Sequence, residues 1–190
     1  MGAKTMPSAL AAKQLELPRL PVDLVARMTQ TTLAPLARLQ SALTPDQIHD
    51  GLSALENSVV ETMRMNGKKL ERMVGRAREL HAATRGARAA SLHDLVKLNE
   101  AANIAQTAEA IYSSALDRTE SREQFYREDY PDTDDHAWFC WHGLTLTPEG
   151  PRFDRQEIPL DGPLKTPAMR PKHPSPIAAI MAGTYRPGAY

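Results

Sequence analysis

Apolar side chains recur at helical spacing between residues 22 and 118 of this chain, and beyond them the pattern switches to alternation. Between residues 22 and 43, Leu24, Val25, Met28, Leu33, Leu36 and Leu39 form a helical stripe with Pro35 inside it. Such a stripe predicts either one kinked helix or two short ones. Thr44-Pro45-Asp46-Gln47 then combines a Thr cap, Pro at the first helical position and Gln three residues after the Thr, which is a strong helix start. Leu52, Leu55, Val59, Met63, Leu70, Met73, Ala77 and Leu80 continue at steps of three, four and seven, and Asn66-Gly67 reads as a break between two helical segments, the alternative being one continuous helix. Residues 83–91 read as a loop, and Ser91 with Asp94 opens a further helix.

That last helix, from Leu92 to about Arg118, has the clearest apolar face: Leu98, Ala101, Ala105, Ala108, Ile111, Tyr112, Ala115 and Leu116. So much Ala on one face predicts a closely approaching neighbour, because small side chains let helix axes draw together. Long helices with short connections pack antiparallel. The expected fold is therefore mainly α, a three-helix bundle of the spectrin-repeat kind. After it, residues 138–146 alternate, with Trp138, Cys140, His142, Leu144 and Leu146 on one face, and residues 152–160 supply the returning strand of a small β-hairpin. From Gly162 on, Pro recurs every few residues, which predicts an extended tail lying on a partner surface. The expected organisation is a flexible leader over 1–20, a kinked helical segment over 21–43 and the bundle over 44–120. A charged turn and β-hairpin over 121–161 and the extended Pro-rich tail over 162–190 complete it. No internal repeat is visible.

Composition agrees with that division. None of the 15 Pro falls between Asp46 and Tyr130, as an uninterrupted helical middle requires. The 23 basic and 23 acidic residues cancel, which argues against nucleic-acid binding by bulk charge. A single Cys fits a reducing compartment. No apolar run suggests membrane insertion or a secretory signal, so the expected location is cytoplasmic, at most peripheral to a membrane through partners.

The densest chemistry lies between Arg118 and Gly143. His136, Cys140 and His142 have zinc-ligand types, but a structural site needs four ligands and no second Cys exists; a metal is not expected. Glu128, Asp129, Asp132, Asp134 and Asp135 lack the calcium-loop pattern and its glycine, and read as a polar turn capping amides and pairing with Arg. Cys140 has no well-placed base, and Ser121 sits outside any nucleophile elbow. The basic segment Arg64, Lys68, Lys69, Arg72, Arg76, Arg78, Arg85 and Arg88 reads as a solvated face or a match for the acidic run at 128–135. His49, His81 and His93 read as surface residues, and Met63, Met65 and Met73 as core filling. The ten Gly form no phosphate-binding loop.

The stretch Arg118-Thr-Glu-Ser-Arg-Glu-Gln-Phe-Tyr-Arg-Glu-Asp-Tyr-Pro-Asp-Thr-Asp-Asp-His-Ala-Trp138 resembles the C-terminal helical domain of the succinate dehydrogenase/fumarate reductase flavoprotein family, which also includes L-aspartate oxidase and, more distantly, the adenylylsulfate reductase flavoprotein. The family motif, R-x-E-S-R-G-x-H-x-R-x-D-[FY]-P-x-x-D-D-x-x-W, is matched at Arg118, Glu120, Ser121, Arg122, Arg127, Asp129, Tyr130, Pro131, Asp134, Asp135 and Trp138. Glu123 and Phe125 stand where the motif has Gly and His, and the resemblance extends over about residues 50–172. It implies a helical domain packed on a flavin domain, with FAD and the substrate held by that partner domain or subunit and an iron–sulfur subunit as a further partner. None of the family's flavin-binding or catalytic motifs is found here, so no catalytic residue, cofactor contact or metal ligand carries over and the chain is not expected to be an enzyme by itself. The motif residues become structural or interface residues, with Arg118, Arg122 and Arg127 pairing with Glu120, Asp129, Asp134 and Asp135 while Pro131 and Trp138 pin the turn. The alternative is a free-standing helical scaffold or assembly protein without redox function.

Overall fold

The computed structural model describes residues 20–56, 64–147, 149–159 and 172–188. The leader over 1–19, Val59 and Met63, and the tail up to residue 171 lie outside them.

Helix α1 spans Val22–Ala37 and is continuous, with Pro35 in its last turn. Pro35 is its single buried residue. Its C-terminal end is tied to residues 87–89: Ala89 N–H donates to Pro35 O (3.0 Å), Arg38 Nη1 to Ala87 O (2.6 Å) and Arg88 Nε to Arg38 O (3.0 Å). The stripe read from the sequence does not enter the core. Val25, Met28, Leu33 and Leu39 are exposed, and Leu24 and Leu36 are half-buried.

The bundle begins as the Thr44 signature dictates. In α2 (Pro45–Ser53), Thr44 Oγ1 accepts from Gln47 N–H (3.2 Å) while Thr44 N–H donates to Gln47 Oε1 (2.9 Å), closing a capping box. A 3₁₀ turn, Ala54–Glu56, follows. Helix α3 (Gly67–Gly86) starts where the Asn66-Gly67 break was expected, with Asn66 Oδ1 accepting from Lys69 N–H (3.0 Å). It runs further than expected, so the loop predicted over 83–91 shrinks to the residues after Gly86. Good helix formers fill 82–85 apart from Thr84, and that hydroxyl binds back to His81 O at 2.7 Å, so nothing stops the helix before its glycine. Helix α4 (Leu92–Asp117) is capped by Ser91 Oγ at Asp94 N–H (3.1 Å).

These helices close around two adjoining cores. One joins Ile48 and Leu52 of α2 to Leu80, Leu98, Ala101 and Ala105. The other gathers Met65, Leu70, Met73, Val74 and Tyr112. Ala101 and Ala105 are completely buried, the close approach that the Ala-rich face demanded. Each fully buried Ile or Leu, such as Ile48, Leu70 and Leu80, contributes about 1.5–3 kcal/mol of transfer free energy. Ile111 departs from the expected core face and points to solvent.

Beyond α4 the chain makes a two-residue strand β1 (Asp132–Thr133), a short helix α5 (Asp135–Trp138), and the hairpin of β2 (Cys140–Thr147) and β3 (Gly150–Glu157). Cys140 pairs with Glu157 and Thr147 with Gly150, antiparallel throughout. Gly150 has φ +126°, a conformation only glycine adopts without strain. Trp138 therefore lies on a helix and not at the head of the strand. The described part of the tail is more ordered than its Pro content alone suggests. His173–Pro174 forms β4 against β1, and α6 (Pro176–Met181) buries Ile177 and Ala179. Among the described residues no helix is long and apolar enough to cross a membrane.

Candidate functional site

The motif residues fold into a charged clasp at the C-terminal end of α4. Its first half is built on Glu120, which has 0% exposure. Glu120 Oε1 accepts from Arg118 Nη1 and from Arg122 Nε (2.9 Å), and Oε2 accepts from Arg122 Nη2 (2.9 Å) and from Asp134 N–H (2.9 Å). Arg122 Nη1 also reaches Asp135 Oδ1 at 2.9 Å. Burial works against the Arg122 charge, but its bonds to Glu120 and Asp135 outweigh that and hold its pKa above the ordinary value. The fork of Arg122 on Glu120 has the bidentate geometry a guanidinium offers a carboxylate.

The second half is built on Arg127, only 2% exposed. Its Nε and Nη2 donate to Asp129 Oδ1 and Oδ2 (both 2.8 Å). Its Nη1 faces the carbonyls of Ala115 (2.7 Å), Leu116 (3.2 Å) and Arg118 (2.9 Å). The last carbonyls of a helix lack partners within it and carry the negative end of its dipole, so Arg127 caps α4 with a charged side chain. Asp129 Oδ2 in turn accepts from Gly67 N–H (2.9 Å) at the start of α3. One ion pair thus bridges the end of α4 and the beginning of α3.

Ser121 has neither nucleophilic geometry nor a base. Its Oγ accepts from Arg127 N–H (2.8 Å) and donates to Tyr130 O (2.8 Å), while its carbonyl accepts from Thr133 Oγ1 (2.6 Å). Trp138 is buried, with Nε1–H donating to Thr119 Oγ1 (3.1 Å) and the guanidinium of Arg155 3.8 Å above its ring. Two expected roles are corrected. Among the described residues Asp134 pairs with no arginine; it caps α5 by accepting from Ala137 N–H (3.1 Å), since it begins a helix whose first amides need an acceptor. Pro131 is exposed, so it shapes the chain through its fixed φ without packing as a pin.

Sequence reasoning missed the hairpin's own anchor. His142 lies with Nε2 3.0 Å from Asp117 Oδ2, stacked on Phe153 and edge-on to Trp138. Arg155 reaches the same Asp117 oxygen at 3.4 Å. The alternation of β2 put His142 inward; its partner, the last residue of α4, could not be read from spacing. The basic segment meets the acidic run only in part: Arg64 lies 3.9 Å from Glu128, whereas Arg76 and Arg78 pair with Glu79 and Glu109. His49 and His81 are half-buried and not surface residues, facing Lys97 O (3.0 Å) and Glu109 (3.8 Å).

Glu120, Asp129 and Asp135 of the clasp are each engaged by an arginine, an arrangement that fixes shape. Among the described residues no three His, Cys, Asp or Glu side chains converge as metal ligands. FAD does not fit these residues either. A diphosphate needs free amides at a helix N-terminus after a strand and glycine-rich loop. Among the described residues no strand leads into α3 or α4, and amides at their N-termini are engaged by Asn66, Asp129 and Ser91.

A model described as the fumarate reductase flavoprotein C-terminal region matches residues 54–172. The chain belongs to that family. Within this flavoprotein C-terminal family the solved structures similar to it include adenylylsulfate reductase from Archaeoglobus fulgidus (22% identity, TM-score 0.64, covering 75% of this chain and 25% of that one). E. coli quinol fumarate reductase FrdA is similar at 16% identity and TM-score 0.63, covering 85% of this chain and 28% of that one. Mycobacterium smegmatis Sdh1 is similar at 19% identity and TM-score 0.67, covering 96% and 31%. These likenesses establish the fold. The chain spans only a quarter to a third of the length of each of those proteins.

One departure from the family motif now has a physical consequence. Arg122 and Phe125 bond to each other across a two-residue turn, N–H to O in both directions (2.9 Å each), and Glu123 at its first central position has φ +51°. Positive φ at that position marks a type II′ turn, which favours glycine, the residue the motif has there. Glu123→Gly is expected to raise the unfolding free energy by about 0.5–1 kcal/mol, read by chemical denaturation.

Asp129 gives a pH dependence. Its hydrogen bond from Arg127 holds its carboxyl below the usual carboxylate range, against opposing desolvation. A lowered folded pKa contributes stability that is complete above the unfolded value of about 3.9 and is lost as pH falls through the folded one. Urea melts of the wild type should therefore weaken as pH drops below about 4. Asp129→Asn should be less stable at neutral pH and show a shallower acid limb; identical limbs would refute the assignment.

Proposed function

We propose that this chain is the helical, non-catalytic part of a flavin-dependent oxidoreductase of the fumarate reductase/succinate dehydrogenase type, supporting a flavin-binding partner domain or subunit. The observation that carries the reading is the family match over 54–172, in a fold that occupies only part of much longer flavoprotein chains. FAD belongs to that partner, where it supplies two-electron chemistry. The residues here contribute rigidity: the clasp fixes the end of α4 against the start of α3, and the hairpin and tail are laid over the same end through His142, Asp117 and the β1–β4 pair. An iron–sulfur subunit is a further partner under this reading, and this chain itself is cytoplasmic, at most peripheral to a membrane through its partners.

The test is purification of the tagged full chain from its native cells at low salt. Recovery of a complex with flavin absorbance, whose flavin-bearing part is identified by mass spectrometry, is the expected result. A colourless, monodisperse chain with no flavoprotein would overturn the proposal in favour of a scaffold without redox function. Stoichiometric FAD on the isolated chain would also contradict it.

A further inference from the structure

Helix α1 is tied to the fold by its C-terminal end, and Pro35 is its single buried residue. Six of the fourteen exposed large apolar side chains among the described residues nevertheless fall between Leu20 and Leu39. Helices of this length are marginal in water unless an apolar face is packed. This one also holds three Thr and starts after Pro21 with no side-chain cap, so its own propensity supports it weakly. Val22, Val25, Ala26, Thr29, Thr32, Leu33 and Leu36 share one face, at the spacing of the a, d and e positions of a heptad. All of them but the half-buried Leu36 are exposed. No charge interrupts that face: Asp23 and Arg27, the charged residues of α1, lie away from it and pair with each other at 3.7 Å.

We infer that this face is the contact between two copies of the chain, whose α1 helices pack antiparallel about a two-fold axis at Thr29. The face is its own complement. A two-fold contact requires residue i of one copy to meet residue j of the other while j meets i. An axis at Thr29 sets Val22 on Leu36, Val25 on Leu33, Ala26 on Thr32 and Thr29 on its own counterpart. Each large apolar side chain thus meets another, and the small ones meet at the centre, where they let the helix axes draw close. The threonine hydroxyls can bond back to carbonyls of their own helix, which leaves the seam dry. This palindrome selects a second copy, since a site for an unrelated partner has no need of it. Charge favours the same arrangement: antiparallel helices set the positive N-terminal end of each beside the negative C-terminal end of the other. Asp23 and Arg27, neutralised within each copy, bring no like charges together. A 16-residue face, about 24 Å long and about 10 Å wide, falls short of the roughly 800 Å² per partner of a standard interface. The dimer is therefore weak and concentration-dependent. Its formation is independent of the function proposed above.

The test uses the full chain with Cys140, its free and half-buried cysteine, replaced by Ser. Sedimentation equilibrium should show monomer and dimer exchanging with concentration. Val25→Glu should weaken association at least tenfold, since the symmetry buries its unpaired charge twice, and leave the melting temperature at high dilution unchanged. Thr29→Cys should oxidise to a disulfide-linked dimer, and Thr31→Cys, exposed on the opposite side of α1, should not. Mixing Val25→Cys with Leu33→Cys should give the mixed disulfide at least tenfold over either self-linked product. A monomer at every concentration, or equal linkage through Thr29→Cys and Thr31→Cys, would overturn the dimer. Self-linked products at 25 and 33 in place of the mixed one would mean parallel helices and overturn the stated pairing. In the complex recovered from native cells, a photo-crosslinker at position 29 that links only to a flavin-bearing part would overturn the dimer and leave the proposed function standing.

Discussion

Arg127→Met is expected to lower the unfolding free energy by about 3–5 kcal/mol, the range for breaking a buried charged network by removing one partner. Methionine keeps most of the aliphatic length, so the loss is chiefly that of the guanidinium. Three carbonyls at the end of α4, those of Ala115, Leu116 and Arg118, lose their donor at once. Asp129 loses both of its 2.8 Å bonds and keeps the Gly67 amide alone. The guanidinium also lies 4.9 Å from the Tyr130 ring centre, a contact worth about 0.5–1 kcal/mol more. Arg127→Lys should recover only part of the loss, because an ammonium cannot address a carboxylate with a planar fork and a helix end with its third nitrogen. Chemical denaturation of both variants decides it. If Arg127→Met costs under about 1 kcal/mol, the range of an exposed pair, the clasp does not hold the helices together.

The second large effect is centred on Glu120. Glu120→Ala should cost about 2–4 kcal/mol, since hydrogen bonds to a charged group are each worth about 1.5–3 kcal/mol and the freed arginines recover part of that from water. Asp134 N–H is the partner left worst off, because it sits within the fold and points at the vacated oxygen. A double-mutant cycle with Arg122→Ala isolates the pair. A coupling of about 1–3 kcal/mol is expected for residues joined by two bonds in one network. Simple additivity would mean that the two side chains act separately, contrary to the geometry.

Both effects come from one feature of the family motif: its charges are spent on one another. The same residues, read as a string, invite zinc, calcium or nucleophilic readings. Ligand counting was enough to set those aside, and the family likeness converted the string into a set of arginine–carboxylate pairs. It could not assign the pairs. Asp134 and Asp135 are adjacent, yet one caps α5 and the other meets Arg122. That choice depends on where the chain turns after β1, and no local rule carries it.

The helices divide along a similar line. Thr44 and Ser91 each cap the helix they were expected to begin, and Asn66, read as part of a break, caps the helix after it, since a cap satisfies amides within three residues of itself. Ala101 and Ala105 announced a close neighbour, which is α3. The stripe of α1 was equally regular and misled, because periodicity reports that an apolar face exists and says nothing about what covers it. Ile111 misled for the same reason, since its side of α4 is left exposed.

What the sequence determined by itself, then, is what is governed by contacts a few residues apart: helix starts and the alternating hairpin, together with the family to which the motif belongs. The tertiary structure alone decided which faces are covered and which charges meet. Arg127 reaches back to α4 and, through Asp129, across to α3; His142 finds Asp117; the tail closes on β1. Those partners lie up to 62 residues apart, and only packing of the whole chain brings them within the three ångströms over which a hydrogen bond acts.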